Sequence, residues 1–328
     1  MSQRDDRRRH LLTRGNVDGL VASALLAGHD PRLRTSYVPS GDLAALAMRK
    51  DLGTREFLLV DLGLTPRLVK TLNEKAKTRQ RVTYLDHHQQ SFDHWNELQP
   101  HVAGRVQQGL SAAAVAYEHF HLPDRFEHLV ALADLVEYCE TPRLDAAIAE
   151  YGHARIHREA QMLDFAWRYR VDDDRFRLAA ARRLATGCWP SEVPEIERRY
   201  LKMVNEGRWE RALERVRDRI EVKHNVALLR FGRHKPSLFG FGSRALTAVA
   251  RELGAHVSVL LNRRKEQSSV SLRNPQPEPA PDDLNLGRFV EDFTLTHGGV
   301  GGGHPTSAGA RIPTPAVPRF LHELYCFA

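Results

Sequence analysis

The stretch that decides the fold is TYLDHHQQ, residues 83–90. Its first residues are typical of the end of a buried strand, and Asp86, His87 and His88 follow at once. Three adjacent polar side chains that can bind metal are costly to bury at a strand end unless something pairs with them. The triplet therefore indicates a ligand-binding site at this point of the sheet.

Composition places the chain among ordinary soluble globular proteins. It has 328 residues, 42% of them hydrophobic and 27% charged, which suits two domains. The net charge of +7 favours phosphate-bearing partners, although a solvated basic surface explains it equally well. The three cysteines are far apart and odd in number, which is typical of a reducing compartment. No segment has the pattern of a signal peptide or a membrane span, so we expect a cytoplasmic protein without a membrane partner.

The first part of the chain alternates between short apolar runs and helical patterns. We predict strands at residues 10–13, 57–63 and 81–86, and helices at residues 18–28, 65–77, 110–120 and 126–138. In the second helix Thr65 is the expected N-cap and Pro66 the first helical residue. Such alternation predicts an α/β domain, with a mostly parallel sheet covered by helices on both faces.

The rest of the chain predicts a helical region and then a second, smaller α/β domain. We expect a first domain at residues 1–190, a helical linker at 191–221 and a second domain at 222–328. The second domain has predicted strands at 226–231, 256–262 and 268–273, and helices at 243–254, 284–293 and 316–325. Residues 274–283 are predicted to form a Pro-rich loop, and residues 298–309 a Gly-rich loop.

Acidic residues follow the predicted strands of the first domain. Asp18 follows the first strand, Asp61 the second and Asp86 the third. Because ligands bind at the carboxyl ends of parallel strands, we expect these side chains to converge. Converging carboxylates repel one another unless a cation lies between them, and carboxylate with imidazole suits Mn²⁺, Mg²⁺, Fe²⁺ or Co²⁺. Taken singly, Asp18 or Asp61 could instead cap a turn or a helix, whereas the Asp86-His87-His88 triplet is less easily explained in that way.

Several separated motifs resemble those of the DHH phosphoesterases. LDHHQQ (85–90) resembles the motif that names the family, LTRGNVDGLVASALL (12–26) its first motif, FLLVDLG (57–63) its second and ALADLVEY (131–138) its fourth. VSLRN (270–274) and GGVGGGHPTSAG (298–309) resemble the DHH-associated C-terminal domain with its GGGHxxAAG signature. The resemblance implies two α/β domains joined by a helical linker, and metal-dependent hydrolysis of phosphoester or phosphoanhydride bonds.

The resemblance also implies roles for individual residues of the first domain. The positions that match the family's ligands for one metal are Asp18, Asp61, His87 and Asp134. Asp61 would bridge to a second metal, Asp86 would orient His87 or steady the loop, and His88 would face the substrate phosphate.

In the second domain, the resemblance implies a site for the far end of the substrate. Arg273 and His304 would hold it, and the backbone N–H groups of Gly301, Gly302 and Gly303 would cradle a phosphate.

The first motif departs from the family pattern. Arg14 and Asn16 stand where the family has metal ligands; arginine cannot bind a metal, and asparagine keeps an oxygen but lacks the charge. We therefore expect one ion, with the second site weakened. Three interpretations stay open: a one-metal enzyme in which Arg14 grips a phosphate oxygen, a protein that binds nucleotide without turnover, or restoration of the site by a residue such as His10.

The leading functional hypothesis is a phosphodiesterase that hydrolyses short oligonucleotides or small nucleotides with metal-activated water. Its cofactor would be Mn²⁺, Mg²⁺ or Co²⁺, and Arg14, Asp86 and His88 would be its catalytic groups. The alternative is a catalytically impaired protein that binds nucleotide or single-stranded nucleic acid. An inorganic pyrophosphatase fits less well, because that branch lacks the Gly-rich signature. A homodimer is compatible with the sequence. Tyr138 and Phe293 have rings that could stack on bases, but we expect both in the core.

Overall fold

The computed structural model describes residues 9–51, 53–78, 80–231, 237–276 and 284–328, without the side chain of His304. The chain forms two compact units, Met1–Lys202 and Met203–Ala328. Across the described ranges, no helix is both long enough and apolar enough to cross a bilayer. The domain boundaries at residues 190 and 222 stay predictions.

The N-terminal unit alternates strands and helices and then becomes wholly helical. Its elements are β1 (Arg9–Thr13), α1 (Val17–His29), β2 (Arg34–Tyr37), α2 (Gly41–Lys50), β3 (Glu56–Val60), α3 (Pro66–Ala76), β4 (Arg81–Asp86), α4 (Gln89–Asp93), β5 (Val102–Val106), α5 (Ala112–His119), α6 (Glu127–Val136), α7 (Pro142–Tyr151), α8 (His153–Arg168), α9 (Asp174–Leu184) and α10 (Pro194–Asn205). The last helix contains the division between the two units.

The five strands of this unit form one sheet in the order β2-β1-β3-β4-β5. Each pair of adjacent strands in this sheet is parallel. Successive side chains of a strand point to opposite faces. Leu58 and Val60 of β3 therefore enter a core with α1, α5 and α6, whereas Phe57 and Leu59 enter a second core with α2 and α3. The predicted parallel sheet with helices on both faces is confirmed.

Local signals set the start of α3 as the sequence predicts. The Thr65 hydroxyl accepts a hydrogen bond from the Leu68 amide at 3.2 Å, and Pro66 is the first helical residue. Four elements of this part of the unit were not predicted: β2, α2, α4 and β5. Strand β2, Arg34–Tyr37, is a short edge strand with no fully buried residue, so it lacks the apolar run that marks the central strands.

The C-terminal unit is built on a second sheet. Its elements are α11 (Arg208–Arg217), β6 (Glu221–Lys223), β7 (Val226–Phe231), α12 (Gly242–Glu252), β8 (Val257–Asn262), β9 (Gln267–Arg273), α13 (Leu286–His297), β10 (Val300–His304), β11 (Ser307–Pro313) and α14 (Val317–Phe327). The strand order is β10-β11-β9-β8-β7-β6; only β7 and β8 pair in parallel. The smaller α/β unit is therefore confirmed.

The prediction of a Gly-rich loop at residues 298–309 is wrong. Strands β10 and β11 form a hairpin there, with Gly302 opposite Gly309. The glycines serve close packing: a Cβ at Gly301 would lie 2.6 Å from both Val290 Cγ1 of α13 and Ala310 Cβ. Small residues thus let α13 lie on the strand. Of the predicted Pro-rich loop at 274–283, residues 277–283 lie outside the described residues.

Candidate metal centre

Four side chains that can bind metal meet where β3 and β4 end. Asp61, Asp86, His87 and His88 each offer one ligand atom, and these atoms lie within 4.8 Å of one another. The two strands are parallel neighbours, so their carboxyl ends lie at the same edge of the sheet. This edge is where ligands bind in open α/β sheets.

Asp61 is the least satisfied member of the cluster. Its side chain is 1% exposed, and neither carboxylate oxygen accepts a hydrogen bond from any described residue. Its backbone has φ of 59°, in the left-handed region that most residues avoid but aspartate tolerates better than most. A buried carboxylate without donors is costly unless a ligand completes its environment.

His87 presents one nitrogen to the carboxylates and is held by the other. Its Nδ1 lies 2.8 Å from the Leu110 carbonyl oxygen, which only accepts, so Nδ1 carries the proton. Nε2 lies 3.6 Å from Asp61 Oδ1 and 3.7 Å from Asp18 Oδ2. Burial would lower the pKa of His87, but contacts with Asp61 and Cys139 and the charge of Asp18 raise it well above its ordinary value. This arrangement is typical of a metal-binding imidazole fixed from behind.

His88 is fixed in the same way by Asp86. Its Nδ1 lies 2.9 Å from Asp86 Oδ1, and its Nε2 lies 3.9 Å from Asp61 Oδ1. Asp86 also accepts hydrogen bonds from the hydroxyls of Tyr84 and Ser91. Burial alone would raise the pKa of Asp86, but the His88 ring and the Ser91 hydroxyl lower it below its ordinary range. Asp86 therefore orients His88, whereas the Leu110 carbonyl holds His87.

Asp18 lies beside the cluster and also caps a helix. Its two oxygens accept the amides of Ala112 and Ala113, each at 2.8 Å, in the first turn of α5. Burial raises the pKa of Asp18 well above its ordinary value, and the negative charge of Asp61 raises it further. Each carboxylate oxygen keeps a second lone pair, so capping leaves Asp18 able to bind a cation.

Asp134 is more fully occupied. One oxygen accepts the amide and the hydroxyl of Ser111, at 3.1 and 2.6 Å, and the other accepts the Thr141 hydroxyl at 2.9 Å. The guanidinium of Arg143 lies 4.0 Å away. The structure therefore gives Asp134 the role of joining α5, α6 and α7, and does not bring it into the four-residue cluster.

Arg14 and Asn16 of the first motif, and His10 before it, have three different environments. The Arg14 guanidinium lies 3.4 Å from His88 Nε2 and so sets a permanent cation at the edge of the site. Asn16 is the N-cap of α1 and accepts the Gly19 amide at 2.9 Å. His10 lies at the other end of β1, where it contacts Asp51 and Ser36 at 3.0 and 2.9 Å. His10 does not join the cluster.

The predicted phosphate site of the C-terminal unit lies on the β9–β11–β10 edge of its sheet. Arg273 of β9 is opposite Ser307, and Ser307 is in turn opposite His304, so these three positions are neighbours. The Gly301–Gly303 backbone pairs with β11 and is therefore a strand rather than an open loop. The His304 side chain lies outside the described residues.

The donor set fits a divalent cation. Asp61 provides a carboxylate that receives no hydrogen bond from the described chain, and the two imidazoles turn Nε2 toward it. Carboxylate oxygen and neutral imidazole nitrogen are ligands of Mn²⁺, Mg²⁺, Fe²⁺ and Co²⁺, and tightly packed acids require such a charge.

Sequence reasoning missed the residues that hold the cluster in place. Tyr84, Ser91, Ser111 and Thr141 donate their hydroxyl hydrogens to Asp86 or Asp134. No motif marks them, because hydroxyl residues are common at turns and caps.

Among the two aromatics expected in the core, Phe293 is 3% exposed and confirms the prediction, whereas Tyr138 is 81% exposed and contradicts it.

Comparisons with known proteins agree with this architecture. Residues 242–327 match the family described as the DHHA1 domain. No curated protein sequence matches the chain. The resemblance seen in the sequence is confirmed at this level: residues 242–327 match the DHHA1 domain, and the chain shares the fold of a solved DHH domain.

Three solved structures illustrate the shared fold. The pGpG-specific phosphodiesterase PggH of Vibrio cholerae is 14% identical with a TM-score of 0.55, over 97% of this chain and 98% of that one. A DHH domain from a protein described as a member of a family of ribosomal proteins is 15% identical with a TM-score of 0.69, over 98% and 86%. RecJ of Thermus thermophilus, solved with Mg²⁺, is 15% identical with a TM-score of 0.54, over 98% and 49%.

Proposed function

We propose that the chain is a metal-dependent phosphoester hydrolase that acts on small nucleotides or short single-stranded oligonucleotides. The observation that carries the proposal is Asp61, a buried carboxylate that accepts no hydrogen bond from the described residues and faces two fixed imidazoles. Solved proteins of the same fold include a pGpG-specific phosphodiesterase and RecJ with Mg²⁺, which supports hydrolysis of nucleotide substrates.

The proposed ion is Mn²⁺, with Mg²⁺ and Co²⁺ as alternatives, and one ion binds per chain. Asp61 and His87 Nε2 hold it, with the remaining lone pairs of Asp18 as a further contact. Asp134 and Asn16 act through the helices that they join and cap. When bound, such an ion polarises the phosphoryl oxygen and acidifies a water molecule.

The surrounding residues position the substrate and stabilise charge. The Arg14 guanidinium would bind a phosphate oxygen by a charge-assisted hydrogen bond and so supply positive charge that a second ion would otherwise provide. His88 is held in one tautomer by Asp86, so its Nε2 faces the same region as Arg14. In the C-terminal unit, Arg273, His304 and the Gly301–Gly303 backbone are the groups that we propose bind a phosphate.

A second candidate function is binding of nucleotide or single-stranded nucleic acid without turnover. The first motif favours it: Arg14 adds a cation at the site, and the side-chain oxygen of Asn16 is engaged in capping α1. Both candidates need the same anion-binding surface, so turnover alone separates them.

The test is hydrolysis of a 5′-labelled RNA dinucleotide with Mn²⁺, beside cyclic dinucleotides, a nucleoside 3′,5′-bisphosphate and pyrophosphate. Asp61→Ala should lower turnover by more than about 100-fold, since even outer partners of metal ligands cost about 10- to 100-fold. The control is Asp172→Ala, because the Asp172 side chain is 76% exposed; its turnover should match the wild type. Intact substrates throughout the panel would refute the hydrolase and leave the binding function.

A further inference from the structure

Tyr138 combines two costly features that its packing does not explain. Its side chain is 81% exposed, among the most exposed of the large apolar residues in the described chain. Its backbone has φ of 58°, in the left-handed region where a bulky side chain is a genuine outlier. Residues held in such conformations cluster at ligand-binding sites, where the surrounding structure maintains the strain.

The surroundings of Tyr138 fix it at the end of α6. The Cys139 amide donates to the Asp134 carbonyl at 2.8 Å, and the Tyr138 amide donates to the Leu135 carbonyl at 3.3 Å. These bonds form the glycine-type helix ending, with a tyrosine in the position that usually belongs to glycine. The Asp134 side chain then ties this ending to Thr141 of the next helix cap.

The same ending touches the metal centre. The Cys139 side chain lies close enough to the His87 ring for each group to shift the pKa of the other. Tyr138 is its chain neighbour, and consecutive Cα atoms are about 3.8 Å apart. The exposed tyrosine therefore immediately precedes the residue whose side chain interacts with a proposed metal ligand.

We propose that Tyr138 is a stacking platform for a base of the substrate. The inference rests on the proposed function and narrows its substrate class to molecules with an unpaired base, in preference to pyrophosphate, sugar phosphates or duplex ends. Every base has a π face, so an exposed aromatic ring beside a phosphate site binds nucleotides with little sequence preference. The strain at Tyr138 persists because the ring is needed in that place.

Three substitutions separate stacking from a structural role. Tyr138→Phe keeps the ring, Tyr138→Ala removes the ring but keeps the strained backbone, and Tyr138→Gly removes both. Val171→Ala is the control, as Val171 is also exposed in the N-terminal unit. The probe is a dinucleotide of 2-aminopurine with a phosphorothioate linkage that resists hydrolysis. It is titrated with the full chain in the presence of Mg²⁺. An abasic analogue with the same linkage is the control ligand that lacks the base.

If Tyr138 stacks on the base, the fluorescence of 2-aminopurine should be quenched by the wild type, by Tyr138→Phe and by the control Val171→Ala. The Ala and Gly variants should bind the probe about 5- to 150-fold more weakly, which is the usual effect of losing one stacked base, while the abasic analogue binds all five proteins alike. Tyr138→Gly should at the same time raise Tm by about 2–4 °C through relief of strain. Tyr138→Gly should therefore bind the probe more weakly and yet unfold at a higher temperature. A purely structural role for Tyr138 would not give this combination.

Other results would overturn the inference. These are no quenching with the wild type, equal affinity of the Ala variant, or a lower Tm in both the Ala and Gly variants. Turnover of an unmodified dinucleotide, measured on the same samples, keeps the two proposals apart. Turnover without quenching of 2-aminopurine fluorescence would refute the stacking role and leave the hydrolase. Quenching that depends on Tyr138, without turnover, would refute the hydrolase and leave the stacking role.

Discussion

Replacing Asp61 by asparagine should stabilise the metal-free protein, although it removes the central group of the proposed site. The Asp61 carboxylate is buried and accepts no hydrogen bond within the described chain. Such a group costs about 1–3 kcal/mol, and more when it is charged. Asparagine has the same shape, lacks the charge and tolerates the left-handed backbone, so Asp61→Asn relieves the cost.

The expected size of this effect can be measured by thermal unfolding in the presence of a chelator. For a unit of this size, 1 kcal/mol corresponds to about 2–4 °C, so Asp61→Asn should raise Tm by roughly 2–12 °C. Asp86 gives the matched control, since it is equally buried but accepts from His88, Ser91 and Tyr84. Asp86→Asn should lower Tm, because hydrogen bonds to a charged group contribute about 1.5–3 kcal/mol.

Adding Mn²⁺ completes the experiment. At a concentration one hundred times Kd, the ion stabilises the wild type by about 2.7 kcal/mol, or roughly 5–11 °C. Asp61→Asn should lose this shift. A variant that is less stable than the wild type in chelator, or that keeps the full Mn²⁺ shift, would refute the reasoning that Asp61 is held for a cation.

Three further predictions concern other parts of the chain. Arg14→Ala should raise the KM for a dinucleotide by about 10- to 150-fold in steady-state assays, the equivalent of one charge-assisted hydrogen bond of 1.5–3 kcal/mol, and an unchanged KM would exclude the phosphate contact. Gly301→Ala should destabilise the protein by about 1–3 kcal/mol in urea unfolding, because its Cβ would lie 2.6 Å from Val290 Cγ1, whereas Gly309→Ala, whose Cβ meets only the Val270 carbonyl at 3.5 Å, should be nearly neutral. Burial would raise the pKa of Asp51, but hydrogen bonds from Thr54 and the charge of Arg34 lower it to about 2; its folded pKa is thus depressed, so its stabilisation is present above about pH 4 and lost as the pH falls toward 2. Asp51→Asn should flatten the urea-unfolding stability across that window, and an unchanged slope would contradict the pairing.

The sequence predicts the central part of each sheet because its signals are local and strong. Strands β3 and β4 are apolar runs, and the start of α3 has a threonine N-cap followed by proline. Edge elements lack such signals, and β2 and β5 are partly exposed and were missed. The glycines of the β10–β11 hairpin predict a loop from the sequence, because glycine is common in turns. Only the packing of α13 on Gly301 reveals why glycine is required within a strand.

The site is predictable to the extent that strand order brings residues together. Parallel neighbours β3 and β4 place Asp61 beside His87 and His88, as the spacing predicts. The hydrogen bonds that distinguish one aspartate from another depend on tertiary contacts. Asp18 caps α5 across 94 residues of chain, and Asp134 accepts from Ser111 across 23. The exposure of Tyr138 likewise follows from how α6 ends, which its hydrophobic pattern does not reveal.

The central claim is that the cluster at the ends of β3 and β4 holds a divalent ion. Anomalous diffraction at the manganese edge, from crystals grown with Mn²⁺, tests it most directly. The account predicts a peak within coordination distance of the Asp61 carboxylate and His87 Nε2, absent from crystals of Asp61→Asn. A wild-type map with no peak between these two residues, under Mn²⁺ well above millimolar, would contradict it.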